Sequence, residues 1–218
     1  SLPTASKNNQ RLPLLLPIDL GSKGTCCIGG TLATNAGGSY YWKYGSLHAN
    51  TIGMEVVLAD GTVLDLMSTN FKNNTGYDLK HMFIGSEGTL GIITKVAINC
   101  PTVYPKSRQV LLLACRSYDD VMQLLRKAKQ EMSDILAVFE YMDGPVVSMV
   151  LEEHADKRLP QLFDNNNDDD NTTNADPKPY PFMVLIETHG SNEDHDQEKT
   201  TQFLENHAEY IADGILAQ

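Results

Sequence analysis

The sequence has no long hydrophobic run and little positive charge. No apolar stretch approaches the ~18 residues of a membrane-spanning helix, and apolar stretches such as 110–114 and 183–186 have the length of strands. The 17 lysines and arginines against 28 acidic residues give a net charge of −11. Such a charge repels the phosphates of nucleic acids and an anionic membrane surface. We therefore expect no transmembrane segment and no nucleic-acid partner.

Cysteine is scarce, and none of it has metal-binding spacing. The four cysteines are Cys26, Cys27, Cys100 and Cys115, and none forms a Cys-x-x-Cys pair, so a zinc site is not expected. So few cysteines in a chain of 218 residues favour reduced thiols in an intracellular compartment over a disulfide scaffold.

The known phosphate-binding motifs are missing too, although glycine is concentrated in two segments. There is no Gly-Lys-Ser/Thr loop, and the spacing of Gly85, Gly88 and Gly91 differs from the dinucleotide fingerprint. Segments 28–38 and 84–94 are both punctuated by glycine, which permits left-handed backbone and lets a ligand approach the main chain. Together they indicate one large, flat, polar ligand gripped from two sides, and ordinary turns are the alternative.

The patterning predicts two domains that meet between Pro101 and Pro105. In the first, we expect a connector at 1–17, loops with short strand pieces at 18–53, a hairpin at 54–66 and a strand at 90–98. In the second, strands are predicted at 109–115, 135–142 and 182–188. Helices are predicted at 117–132, 145–154 and 192–211, and the residues that mark their starts are Ser117, Pro145 and Ser191 in that order. This alternation predicts an α+β fold, with an antiparallel sheet and helices on one of its faces.

Three further expectations concern the acidic segment, the chain ends and the histidines. Segment 164–176 is predicted to be a solvated, disordered insertion, with a calcium site as the alternative. The chain begins at Ser1 and ends soon after a helix-like segment without a closing element, so we expect a fragment of a longer protein. His154, His195 and His207 are predicted to be solvated, and His48, His81 and His189 lie nearer the motifs without metal-ligand spacing. No catalytic base and no metal ligand is assigned to this chain.

Taken together, the motifs resemble the FAD-linked 2-hydroxyacid dehydrogenases, flavoproteins of the vanillyl-alcohol oxidase type. The matching segments are 17–21, 28–38, 44–47, 56–61 and 83–94. Within the family, 74–80, 139–143 and 185–192 resemble the D-2-hydroxyglutarate dehydrogenase branch. The resemblance implies the second half of a PCMH-type FAD-binding domain at 1–104. The N-terminal part of an FAD-linked oxidase C-terminal domain, with a ferredoxin-like antiparallel sheet plus helices, would follow at 105–218.

The resemblance also implies residues that contact FAD, largely through the backbone. Carried over by position, they are Ile28, Gly29, Gly30, Thr34, Asn35, Gly37, Gly38, Glu87, Gly88, Gly91, Ile92 and Ile93. A ribose hydroxyl is the implied partner of Glu87, and a cap on its own turn is the alternative. For Asn35 the alternative is a residue that stabilises a turn.

The implied reaction is oxidation of D-2-hydroxyglutarate to 2-oxoglutarate by hydride transfer to flavin N5. Electrons would pass to an acceptor protein or the quinone pool. A D-lactate dehydrogenase is the alternative enzyme, and a non-catalytic α+β binding module is the alternative of another class. The resemblance further implies a divalent metal, zinc, with its ligands and the catalytic base outside this chain. It also implies a mitochondrial matrix location, with the cytoplasm as alternative, and leaves a homodimer open.

Overall fold

The computed structural model describes residues 12–153 and 180–217. The acidic segment 164–176 and His154 lie outside the described residues. The chain divides into two compact units, Ser1–Gly38 with Tyr44–Tyr104 and Ser39–Lys43 with Pro105–Gln218. Both units combine antiparallel sheet with helices, so the predicted α+β class is confirmed.

The first half of the chain builds a three-stranded antiparallel sheet with short helices. Its elements are α1 (Ile28–Ala33), α2 (Tyr41–Tyr44), α3 (Leu47–Asn50), β1 (Thr51–Val57), β2 (Val63–Leu66), α4 (Lys80–Phe83) and β3 (Ile92–Ile98). The strand order is β2-β1-β3, with both neighbours antiparallel to β1. The buried core of the first compact unit comprises Leu32, Leu47, Met54, Val56, Phe83 and Ile84.

The predicted hairpin is confirmed as the pair of β1 and β2. Its turn is closed by the Leu58 N–H, which donates to the Thr62 carbonyl over 2.9 Å. Asp60 Oδ1 accepts from the Thr62 N–H, also over 2.9 Å, and Gly61 supplies the left-handed backbone with φ +86°. The Asp-Gly signal in the sequence therefore marks the turn correctly.

The prediction of loops and strand pieces at 18–53 is correct for the connecting loops and for the start of β1, but it misses the helices α1, α2 and α3. These helices have six, four and four residues, too few to repeat the 3.6-residue period by which a helix is recognised. A local cap holds α3, since Ser46 Oγ accepts from the Ala49 N–H over 3.1 Å.

The second half of the chain builds a four-stranded antiparallel sheet covered by longer helices. Its elements are β4 (Arg108–Cys115), α5 (Tyr118–Glu131), β5 (Leu136–Asp143), α6 (Gly144–Glu153), β6 (Phe182–His189), α7 (Glu193–Asn206) and β7 (Asp213–Ala217). The strand order is β5-β6-β4-β7. Ser117 caps α5 as predicted, in a capping box with Asp120.

Helices cover both faces of this sheet, which corrects the prediction of one covered face. One face packs Leu111, Leu113 and Ile186 in a core that also holds α5 and α7 residues such as Leu124 and Phe203. On the opposite face, Val147 of α6 packs with Ala114 and Met183. Apolar residues run around much of α6, so its sequence does not indicate which side it buries.

The end of the described chain differs from the prediction in two ways. Helix α7 is capped by Asn192 rather than Ser191, and it ends at Asn206. Strand β7 was not predicted, yet it pairs antiparallel with β4 along its whole length. Its first two residues, Asp213 and Gly214, are depleted in strands, which hides it from propensity arguments.

Candidate functional site

Helix α1 carries the first glycine segment and packs directly on β3. A Cβ built at Gly29 would lie 3.2 Å from the Ile93 carbonyl oxygen, so glycine there allows close contact of helix and strand. A Cβ at Gly30, one position along, would have no neighbour within 4 Å. The two adjacent glycines therefore have different surroundings, one turned to the protein and one to open space.

Backbone hydrogen bonds join the two glycine segments directly. The Gly85 N–H donates to the Leu32 carbonyl over 3.0 Å, and the Glu87 N–H donates to the Ala33 carbonyl over 2.9 Å. Leu32 is fully buried beneath this junction. The two segments, which are separate in the sequence, thus form one continuous backbone surface, called the glycine surface below (residues 28–38 and 84–94).

Left-handed backbone is concentrated on the glycine surface. Asn35 and Glu87 are the non-glycine residues with positive φ among the described residues, at 48° and 50°. Gly85 and Gly88 are left-handed beside them, at 79° and 80°. A non-glycine residue pays about 1–2 kcal/mol in this region. Such outliers cluster at ligand-binding sites, so their position marks this surface as the candidate site.

The other predicted glycines of this surface fall into two groups, according to whether an added Cβ would clash with the protein. A Cβ at Gly38 would lie 2.4 Å from the Asp19 carbonyl oxygen, and one at Gly91 would lie 2.6 Å from Val56 Cγ1. By contrast, Gly37 and Gly88 share the open surroundings of Gly30. Gly38 and Gly91 are therefore needed for packing of the protein itself, whereas Gly30, Gly37 and Gly88 leave room for a ligand.

The remaining predicted contact residues vary in their accessibility. Thr34 is exposed, and its hydroxyl donates to the Gly30 carbonyl over 3.1 Å. Ile92 is 63% exposed and Ile28 is also exposed, while Ile93 packs against the core of the first unit. Bare backbone and exposed apolar side chains thus adjoin on the glycine surface, a combination suited to a flat, partly apolar ligand.

The second unit contains a polar network that was not predicted from the sequence. Arg108 donates to the Tyr40 hydroxyl over 2.9 Å and to Glu187 Oε1 over 3.2 Å. His189 Nε2 lies 2.7 Å from the same carboxylate oxygen, and the Tyr40 ring meets the His189 ring edge-on at 5.1 Å. Period-2 alternation in β6, which places Leu185, Glu187 and His189 on one face, is the signal that could have indicated it.

The network holds Glu187 in its charged form. Burial raises the pKa of this carboxyl, but hydrogen bonds from His189 and Arg108 lower it more, so the net pKa is below its ordinary value. The segment 39–43 takes part because Tyr40 is buried in the second unit. This network therefore ties that short segment to β4 and β6.

Other ionisable residues occupy structural positions. His207 is 5% exposed, which corrects its prediction as solvated, and its Nε2 lies 2.9 Å from a carboxylate oxygen of Glu131. His195 is exposed, as predicted. Burial raises the pKa of the Cys115 thiol to about 12, so this thiol is not a nucleophile.

The described residues form neither a cluster of metal ligands nor a helix able to cross a membrane. Within 12–153 and 180–217, no group of three or more His, Cys, Asp or Glu residues is placed to hold a metal ion. In that same part of the chain, every helix is too short or too polar to cross a membrane.

The chain matches two protein families in succession. Residues 3–67 match the FAD binding domain family, and residues 104–217 match the family described as FAD linked oxidases, C-terminal domain.

Curated relatives match along nearly all of the chain. A protein of Oryza sativa subsp. indica named "Probable D-2-hydroxyglutarate dehydrogenase, mitochondrial" is 46% identical over 94% of this chain and 34% of its own. The mitochondrial D-2-hydroxyglutarate dehydrogenase of Rattus norvegicus is 43% identical over 97% of this chain and 37% of its own. A Schizosaccharomyces pombe protein with a mitochondrial D-lactate dehydrogenase name is 42% identical over 94% of this chain and 36% of its own. The chain spans about a third of the length of these relatives.

A solved structure supports the fold. Alkyldihydroxyacetonephosphate synthase superposes with a TM-score of 0.64 over 93% of this chain and 36% of that protein, at 20% identity. At this identity the likeness shows the fold alone. Because the oxidase match covers more than half of its residues, the chain belongs to the family of FAD-linked oxidases.

Proposed function

We propose that this chain is part of an FAD-dependent dehydrogenase that oxidises D-2-hydroxyglutarate to 2-oxoglutarate. The observation that carries the proposal is the 43% identity to the rat D-2-hydroxyglutarate dehydrogenase, which extends over 97% of this chain and both of its units. The proposed substrate is then a small 2-hydroxy acid.

The glycine surface is the proposed contact with FAD, and its residues fit that cofactor. Gly30, Gly37 and Gly88 leave open space above the backbone, and Ile92 offers an exposed apolar side chain. Bound FAD supplies the hydride acceptor for the C2 hydrogen of the substrate. The chain's own contribution is to fix the cofactor by rigid backbone and to exclude water from its apolar face.

The domain assignment is part of this proposal. Residues 1–104 form the second half of the FAD-binding domain, and residues 105–218 form the beginning of the oxidase C-terminal domain. The division of the compact units at Tyr104 and Pro105, and the start of the oxidase match at 104, support this boundary.

The remaining proposals concern the metal, the electron acceptor, the oligomeric state and the location of the intact protein. Zinc is proposed as a divalent metal of the intact protein, although the described residues do not fit a metal site. Electrons are proposed to pass to an acceptor protein or the quinone pool, and a homodimer is proposed for the intact protein. The mitochondrial names of the relatives support a mitochondrial location, and the matrix is the compartment we propose.

D-Lactate oxidation is the second candidate activity, because the relative from Schizosaccharomyces pombe has a D-lactate dehydrogenase name. The two activities are separated by dye reduction with the intact protein and saturating D-2-hydroxyglutarate, L-2-hydroxyglutarate or D-lactate. We expect the highest kcat/KM with D-2-hydroxyglutarate and none with its enantiomer. Preference for D-lactate would replace the first proposal by the second, and inactivity with every 2-hydroxy acid would favour a non-catalytic module.

A further inference from the structure

A pocket of about 470 Å³ lies in the first unit. Its walls are α3 with the start of β1, the end of β2 with the loop at 67–79, and α4. No residue of the glycine surface lines it. Its volume falls within the range of about 300–1,000 Å³ that small-molecule sites occupy.

One corner of the pocket contains a pair of stacked histidines. The rings of His48 and His81 lie 4.0 Å apart between centroids, with 26° between their planes. His81 Nε2 is 3.4 Å from Asp78 Oδ2, and the Lys80 amine pairs with that same oxygen. The Lys80 side chain is only 12% exposed. Together with Tyr77, these four are the ionisable residues that line the pocket.

His81 has an unsatisfied buried nitrogen. Its Nδ1 is shielded from solvent and has no hydrogen-bond partner among the described residues. If the neutral ring carries its proton on Nε2, the Nδ1 lone pair has no donor, and in the protonated ring the Nδ1–H has no acceptor. Either state leaves the His81 ring incompletely hydrogen-bonded where it lines the pocket.

The lining of the pocket also includes polar, uncharged residues. Ser68, Asn70, Asn73 and Thr75 line it, and their amides and hydroxyls offer both donors and acceptors. Such groups can bind the hydroxyl or carbonyl groups of a small molecule whose charged end faces the histidines.

We propose that this pocket binds a small, polar monocarboxylate, and that the histidine pair takes up one proton when it does. Asp78 already neutralises Lys80, so the empty pocket has no surplus positive charge while both rings are neutral. Two adjacent imidazolium rings would repel each other, so the pair accepts one proton rather than two. One imidazolium matches one carboxylate, whereas a phosphate dianion would exceed the available charge.

The pKa of His81 in the empty pocket agrees with proton uptake. Burial lowers this pKa first, the neighbouring His48 and Lys80 lower it further, and Asp78 opposes them, so the net shift is downward. A bound carboxylate favours the charged ring and reverses the shift. Binding should therefore strengthen as the pH falls through the histidine range, by about tenfold for each unit by which the ligand raises the pKa.

The test is an NMR titration of the histidine Cε1–H resonances in this chain without flavin. Because it requires neither FAD nor turnover, its outcome does not depend on whether the proposed dehydrogenase activity is correct. The probes are 3-hydroxypropionate, the uncharged 3-hydroxypropionamide of nearly equal size, and inorganic phosphate. We expect the acid to shift His48 and His81 saturably, and its affinity to rise by about tenfold between about pH 8 and about pH 6. The amide should leave both resonances unchanged.

Variants locate the site. His81→Gln and His48→Gln should weaken binding by about tenfold or more, whereas His195→Gln, which changes an exposed histidine in the other unit, should not. Absence of a shift in His48 and His81, an equal response to the amide, or binding of phosphate without the acid would each overturn the proposal. If a variant does not fold, the pH dependence and the amide comparison on the unaltered chain still decide.

Discussion

At the scale of single residues, the glycines of the candidate site serve two different purposes. Gly30, Gly37 and Gly88 border open space, whereas Gly38 and Gly91 allow the chain to pack against itself. A substitution at the first kind tests contact with the cofactor, and one at the second kind tests folding.

Gly30→Val in the intact protein should weaken FAD binding by about tenfold or more, about 1.4 kcal/mol. The new side chain occupies the open space above α1, where nothing of the protein lies within 4 Å. Valine is no worse than glycine inside a helix, so the fold should persist. Fluorescence titration with FAD measures the effect, and Gly24→Val in an exposed turn is the matched control. Equal affinity in both variants would remove Gly30 from the proposed contact.

Gly91→Val should instead destabilise the first unit by about 1–3 kcal/mol. Its Cβ would meet Val56 Cγ1 at 2.6 Å and the Val57 carbonyl oxygen at 2.9 Å. Urea denaturation compares this variant with Gly24→Val. Because loss of FAD in the Gly91 variant would follow from the damaged fold, only the stability is informative here. An unchanged midpoint would show that β1 yields easily to the extra side chain.

At the scale of elements, the second unit depends on a capped helix and on paired strands. Helix α5 is fixed by its capping box, and strands β4 and β6 are linked across their ends by Arg108, Glu187 and His189. Each of these features can be removed by one substitution.

Ser117→Ala should cost about 1 kcal/mol of unfolding free energy, because the Asp120 N–H at the start of α5 loses its acceptor. Thermal or urea denaturation measures the loss. Ser133→Ala, in an exposed turn of the same unit, is the control and should change little. Equal stability of the two variants would show that Asp120 or water replaces the cap.

Glu187→Gln should reduce the acid sensitivity of the second unit. The folded pKa of Glu187 lies below its ordinary value of 4.5, so its contribution to stability is present above that pH. That contribution is lost as the pH falls from the ordinary value through the lower, folded pKa. Denaturation between about pH 6 and about pH 3 should give a shallower decline for the variant than for the unaltered chain. Glu140→Gln, at an exposed position of β5, should leave the slope unchanged.

Some of these elements can be predicted from the sequence and others cannot, for physical reasons. Strands β4, β5 and β6 and helix α5 could be predicted because their apolar periods repeat several times and Ser117 marks a boundary. Helices α1 and α3 are too short to show a period, and β7 begins with Asp213 and Gly214, which are depleted in strands. Glycines mark the candidate surface in the sequence, but the bonds from Gly85 and Glu87 to α1 arise only when the chain folds.

At the scale of the whole molecule, the chain comprises about a third of its relatives' length. We expect this chain alone to be inactive towards D-2-hydroxyglutarate and D-lactate, since no catalytic base is assigned among the described residues. A net charge of −11 would also repel a dianionic substrate. Dye reduction with excess FAD, and the intact protein as positive control, measures this. Turnover by this chain alone would place the catalytic groups within it.

The proposed function is tested most directly by the flavin spectrum of the intact protein under anaerobic conditions. The account predicts oxidised-flavin absorption in the purified protein, bleached by one equivalent of D-2-hydroxyglutarate per flavin and unaffected by the L-enantiomer. A protein that takes up no FAD, or whose bound flavin stays oxidised with D-2-hydroxyglutarate, would contradict it.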